Sequence, residues 1–168
     1  MPQDNPAEMF VEVDEADQEI GLLARQVAHQ DPQRIHRAIY VLVVNSQNQM
    51  LFQKRSQTKD LYAGMWSLAC AGHVTYGETY QEAAVKELKE ELGLTGQLFY
   101  VTNILVKTPQ ETEYCQIYMC KTPDEIKIDP TEIESIQWVE IPAIGQFVKD
   151  HPLPPADMEV LRLLLYIT

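Results

Sequence analysis

Residues 72–94, GHVTYGETYQEAAVKELKEELGL, decide how the rest of the chain is read. Thr79 to Leu92 has the marks of one helix. Thr79 is a good N-cap with Glu82 three residues on, the pattern of a capping box. Ala83, Ala84, Leu88 and Leu92 give the helix its apolar positions, and Gly93 is placed to cap its C-terminus. Glu87, Glu90 and Glu91 fall at i, i+3 and i+4, so three carboxylates share one side. In the open, such an arrangement costs roughly a few tenths of a kcal/mol per like-charged pair. Glu78 lies just before the helix and can fold toward the same region. Hard oxygen ligands of this kind suit Mg²⁺ or Mn²⁺, which would relieve the repulsion and neutralise a bound diphosphate. The plainer alternative is a solvated face in which Lys86 pairs with Glu90 and Lys89 with acidic neighbours.

Outward from this stretch, the chain of 168 residues is sized for one domain, and its 45% hydrophobic content is that of a folded protein. The formal net charge of -12 argues against binding to nucleic-acid backbones, which needs clustered Lys and Arg. It does not exclude phosphate substrates, because a bound metal inverts the local field. Apolar runs such as Ile39 to Val44 are too short to cross a membrane, and MPQDNPAEMF lacks the form of a signal peptide. Three cysteines with no CxxC pair fit a reducing compartment, so a cytoplasmic location is expected. The sequence leaves the oligomeric state open, with a homodimer as one option.

Before the acidic helix the patterns are those of strands. Residues 1–8 are polar and read as loose. Residues 9–28 read as an N-terminal hairpin, with MFVEVD and EIGLLAR as its two strands. QVAHQDPQRIHR then reads as a connection. AIYVLVVNSQNQMLFQK is a second hairpin whose first strand, apolar on both faces, should be central. LACAGHV should be a short strand ending at the glycine. After the helix, QLFYVTNILVKT and YCQIYMCKT pair around the turn PQETE, IESIQWVEI adds a strand, and PPADMEVLRLLLYI forms an amphipathic C-terminal helix opened by Pro155.

The spacing of Gly72, Glu78 and the run KELKEELGL from Lys86 resembles the Nudix box: glycine, five residues, glutamate, seven residues, then arginine, glutamate, apolar, any, glutamate, glutamate, any, glycine, apolar. The one departure is Lys86 in place of arginine. Lysine keeps the charge but loses the planar two-pronged donor that orients the glutamates. The resemblance implies an α/β/α sandwich with a mixed β-sheet, a single Nudix domain over residues 1–168. It implies Mg²⁺ (or Mn²⁺) held by Glu87 and Glu91 with Glu90 and Glu78, and a small-molecule diphosphate substrate cleaved by metal-activated water. On that reading Glu87, Glu90, Glu91 and Lys86 form the catalytic set, and Gly72 contacts substrate.

A second constellation resembles one branch of this family, the type 1 isopentenyl-diphosphate isomerases. Those enzymes use three histidines and two glutamates as a metal site. His29, His36, His73, Glu111 and Glu113 sit where that branch has its ligands, which implies a second divalent metal. The loop QKRSQTKDLYAGMW also resembles that branch, with Lys54, Arg55 and Lys59 as candidate diphosphate contacts. One feature departs: the isomerases carry a catalytic cysteine immediately before the GH pair, and this chain has Ala71 there, with Cys70 one position earlier. In a strand, a shift of one residue turns a side chain to the opposite face. The complete glutamate set and the missing thiol favour a metal-dependent diphosphate hydrolase. An isomerase-like protein and a non-catalytic diphosphate-binding domain are the alternatives.

Overall fold

The computed structural model describes residues 5, 7–59, 61–122 and 125–165. Most of the N-terminal segment expected to be loose, and the end of the C-terminal helix at Ile167, lie outside the described residues. Glu8, just before the first strand, is tied down by Thr75 Oγ1 (2.9 Å) and Arg25 Nη1 (3.3 Å).

Strand β3 (Ile35–Val44, IHRAIYVLVV) runs through the middle and is buried along nearly its whole length. Its alternate side chains enter two different cores. Ala38, Tyr40, Leu42 and Val44 pack with Ile144 and Phe147 of α3 (Ile144–Asp150) and with Val160 and Leu161 of α4 (Pro155–Leu165). Ile39, Val41 and Val43 pack with Ala83, Ala84, Leu88 and Leu92 of α2 (Tyr80–Leu92). The run is apolar on both faces because helices cover both faces, which makes the architecture an α/β/α sandwich.

The sheet has nine strands and is mixed. β3 lies parallel to β8 (Thr112–Lys121) from Ile35↔Thr112 to Val44↔Lys121. Its other edge meets β1 (Met9–Val13) near the start and β6 (Cys70–His73) from Ala38↔His73 to Val41↔Cys70, both antiparallel. The hairpin partner β4 (Gln49–Arg55) touches β3 only at Val44↔Met50. β4 then pairs with β5 (Trp66–Leu68) and β9 (Ile133–Glu140), so the sheet divides into two branches beyond the hairpin. β2 (Glu19–Ala24) completes the N-terminal hairpin, and β7 (Leu98–Lys107) pairs with β8.

The acidic helix forms as the sequence predicts. Thr79 and Glu82 make the reciprocal capping box, and Gly93 closes the helix at φ 66° in the left-handed region, where glycine carries no steric penalty. Three expectations are corrected. The returning strand of the first hairpin ends at Ala24, and Arg25–Ala28 forms one helical turn, α1. The stretch expected to connect to the second hairpin ends sooner than its polarity suggests, because β3 already begins at Ile35 and His36 belongs to it. The strand expected over LACAGHV is broken at Ala69, and its second part runs through Gly72 to His73 because β3 offers partners that far.

Candidate functional site

Helix α2 lies over β6, and Gly72 is what lets it lie close. A Cβ added at Gly72 would stand 2.6 Å from Glu87 Cγ and 2.7 Å from its carboxyl carbon. The glycine therefore serves Glu87 by its lack of a side chain. Burial, then the like charge of Glu90, pushes the Glu87 carboxyl up to about 7, against the lowering pull of Lys86. Glu91 is buried beside it. Its carboxyl is raised well above the ordinary range by burial and by Glu87 and Glu132, and Gln53 Nε2 donates to its Oε2 at 3.3 Å. Crowding two carboxylates with so little solvent is unfavourable unless protons or a cation neutralise them, so the donor set fits a hard divalent ion.

Lys86 bonds both oxygens of Glu78, at 2.8 and 2.9 Å, and its Nζ lies 3.6 Å from Glu87 Oε1. Glu78 also accepts the Thr75 N–H. Glu78 and Lys86 thus brace the entrance to the helix, while Glu87, Glu90 and Glu91 line a cavity of about 420 Å³.

The same cavity reaches a second cluster on the other face of β6. Parallel pairing sets His36 beside Glu113, and antiparallel pairing sets Ala38 beside His73. His29 arrives from the residue after α1, and Glu111 from the turn before β8. His29 Nε2 lies 3.4 Å from His73 Nε2 and 3.4 Å from Glu111 Oε2. His36 Nε2 lies 3.8 Å from Glu111 Oε2 and 3.7 Å from Glu113 Oε1, and His73 Nε2 lies 3.6 Å from Glu113 Oε1. One ligand atom from each of His29, His36, His73 and Glu111 falls within 4.8 Å of all the others. Two donors on a common divalent ion stand roughly 3–4.4 Å apart, and the separations of 3.4–3.8 Å above fall in that range.

His36 supplies an independent sign of fit. It is fully buried, and neither ring nitrogen has a hydrogen-bond partner among the described residues. Burial, then the charges of His29 and Arg25, lowers it to about 3, and burial lowers His73 as well. Both imidazoles are therefore neutral near pH 7, which is the ligating form. Phe10 stacks on His73 (4.3 Å, 19°) and on His36 (5.2 Å, 21°), fixing both ring planes.

Of the three basic candidates, Arg55 and Lys59 line the cavity. Lys59 pairs with Glu132 at 2.8 Å, and Arg55 Nε donates to the Leu61 carbonyl at 3.2 Å. Lys54 does not line it. One residue earlier on β4, it turns away and pairs with Glu134 at 2.8 Å, so its placement gives no support to a diphosphate contact. Ala71 lines the cavity, and Cys70 does not. Cys70 is buried in the core beneath α2, and burial holds its thiol well above the ordinary range.

Among the lining residues that escaped the reading of the sequence are Glu132, Tyr40, Tyr62 and Asp157. Of these, only Asp157 had left a signal. It stands on the apolar stripe of α4, at i of Val160, Leu161 and Leu164, where a carboxylate needs a reason.

Comparisons with known proteins bear on the family and the fold. Residues 34–164 match the NUDIX domain. The chain is 34% identical over 146 residues to an isopentenyl-diphosphate Delta-isomerase of Pectobacterium atrosepticum, covering 84% of this chain and 81% of the relative. It is 28% identical over 166 residues to the uncharacterized Nudix hydrolase PA4841 of Pseudomonas aeruginosa, covering 95% and 94%. In structure it resembles DR0079 of Deinococcus radiodurans, with a TM-score of 0.80 at 22% identity over 93% of this chain and 98% of that one. With the glutamate helix in place and the domain match spanning most of its length, the chain belongs to the NUDIX domain family.

Proposed function

We propose that the protein is a divalent-metal-dependent hydrolase that cleaves a diphosphate linkage in a nucleotide derivative or similar small molecule. One observation carries the reading: one cavity is lined by Glu87, Glu90 and Glu91 together with Arg55 and Lys59, and by the methyl group of Ala71 where an isomerase would need a thiol. Mg²⁺ or Mn²⁺ bound by Glu87 and Glu91 would make hydroxide available near neutral pH and neutralise charge on the diphosphate. The chain's own residues do the rest. Glu90 adds negative charge to the cation side, and Lys86, pinned by Glu78, holds Glu87 in place. Arg55 and Lys59 face the diphosphate oxygens. His29, His36, His73, Glu111 and Glu113 would hold a second divalent ion. A cytoplasmic location belongs to the same proposal, supported by three buried, unbridged cysteines.

The test is release of phosphate or monophosphate from a panel of nucleotides, nucleotide sugars and isoprenoid diphosphates with Mg²⁺ present. Turnover of one class, abolished in Glu91→Gln, is expected. No release from any member sinks the hydrolase.

The histidine–glutamate cluster favours a second reading, an isomerase-like protein, since relatives named isopentenyl-diphosphate Delta-isomerase match over most of the chain. Formation of dimethylallyl diphosphate by the unaltered protein would establish it. Formation only after Ala71→Cys would show a scaffold lacking its thiol.

A further inference from the structure

The turn before β9 is fastened to the glutamate helix and to the basic loop at once. On one side, the Asp129 N–H donates to the Glu91 carbonyl at 3.0 Å, and the Glu132 N–H to the Asp129 carbonyl at 3.0 Å. On the other, the Ser56 N–H donates to the Glu132 carbonyl at 2.9 Å, and Thr58 Oγ1 to the Thr131 carbonyl at 3.2 Å. These ties hold Glu132 in place without using its carboxylate. Glu132 lines the cavity, and its Oε2 accepts from Lys59 Nζ at 2.8 Å. Both side chains are largely withdrawn from solvent, Lys59 at 13% exposed and Glu132 at 17%. The charge of Glu132 also reaches Glu91: after burial and Glu87, it is the next cause that raises the Glu91 carboxyl, while Arg55 and Lys59 lower it.

This pairing sets two parts of the cavity against each other. Lys59 is a diphosphate contact on the reading above, yet Glu132 neutralises it. A diphosphate that draws Lys59 away leaves a poorly solvated carboxylate near Glu91, and removing one partner of such a pair is costly. A divalent ion at Glu87 and Glu91 lifts that cost, because it offers the carboxylate a second cation. We propose that Glu132 is a further residue of the cation site and that it exchanges partners: Lys59 passes to the diphosphate, and Glu132 turns to the divalent ion. The inference rests on the diphosphate reading of the cavity and adds a coupling to it. Ion and diphosphate each favour the other through Glu132, by the same factor in both directions. The backbone ties on either side of Glu132 do not take part, so the exchange asks only for rotation of two side chains.

The experiment is a binding measurement, so it does not depend on turnover. Calorimetry with methylenediphosphonate, an uncleavable diphosphate, compares the unaltered protein, Lys59→Met, Glu132→Gln and the double variant, in EDTA and with saturating Mg²⁺. In EDTA, Glu132→Gln is expected to bind the probe at least about fivefold more tightly than the unaltered protein, and adding Lys59→Met to cancel the gain. Lys59→Met alone should weaken binding by less than about twofold in EDTA and by at least about fivefold with Mg²⁺. With Mg²⁺, Glu132→Gln should bind no more tightly than the unaltered protein. A carboxylate that only braced the loop would not hold back binding in EDTA. Additive effects of the two substitutions would assign the gain to bulk charge and overturn the exchange. So would the lack of any gain in Glu132→Gln, or a gain that persists with Mg²⁺. Should Glu132→Gln fail to fold, Lys59→Met carries the test, and an equal loss in the two media overturns the proposal. If the coupling appears but no diphosphate is ever cleaved, the exchange stands and the hydrolase reading falls. Turnover with additive effects does the reverse.

Discussion

Gly72 shows how differently a single residue reads in sequence and in space. The spacing of the motif singled it out and suggested a place against the substrate. The structure adds a steric reason: Glu87 occupies the space a Cβ would need, and Gly72 also lines the cavity. Gly72→Ala should displace the carboxylate without opening the core, since β6 keeps its pairing. Mg²⁺-dependent turnover should fall tenfold or more while the melting temperature drops by only a few degrees, roughly the effect of 1 kcal/mol in a chain of this size. A large loss of stability with turnover intact would contradict this. Glu87 also sets a pH dependence. Unfolded it titrates near 4.5, and folded at about 7, so the fold binds the extra proton between those values. Its contribution is complete below pH 4.5 and is lost as pH rises through about 7. In EDTA the loss from this group should be roughly 1–3 kcal/mol. Thermal unfolding at pH 5 and pH 8 measures it, and Glu87→Gln should reduce the difference without abolishing it, because burial raises the Glu91 carboxyl in the same direction. An equal difference in the variant would assign it to other groups.

At the scale of elements, legibility followed the strength of the local signal. Helix α2 could be read to within a residue because cap, apolar spacing and closing glycine all agreed. That agreement makes the cap testable. Thr79→Ala removes the acceptor for the Glu82 N–H and should cost about 1 kcal/mol, read from denaturant midpoints. A change well below that would mean tertiary packing alone holds the helix start. The Glu82 carboxyl is held low by the Thr79 backbone and side-chain hydrogen bonds. Its share of the cap is therefore present above pH 4.5 and lost as pH falls further, the opposite sign to Glu87. α1 was missed because four residues are too few to show a period. The break at Ala69 was missed because it depends on which strands β5 and β6 find, and LACAGHV carries no trace of that choice.

At the scale of the whole molecule, the sequence held the layers but not the opening between them. A strand apolar on both faces implies helices above and below, and that much followed from IYVLVV alone. Nothing local could show that β3 and β4 share only Val44↔Met50, or that the cavity beyond the hairpin joins two faces of the sheet. For the same reason the two acidic groupings were legible as separate motifs and not as neighbours on one cavity. Their separateness can be measured. Glu87 and Glu91 offer only oxygen, whereas His29, His36 and His73 offer nitrogen, and softer divalent ions prefer nitrogen. Protein stripped with EDTA should therefore respond to Mg²⁺ chiefly through the glutamates and to Zn²⁺ through the histidines as well. Saturation at a hundredfold excess over the dissociation constant adds about 2.7 kcal/mol, or roughly 5–10 °C in melting temperature. Glu91→Gln should abolish the Mg²⁺ shift and preserve most of the Zn²⁺ shift. His36→Asn should do the reverse, because it removes a nitrogen ligand that has no hydrogen-bond partner among the described residues. If either substitution abolishes both shifts, the cavity holds one coupled metal centre in place of two.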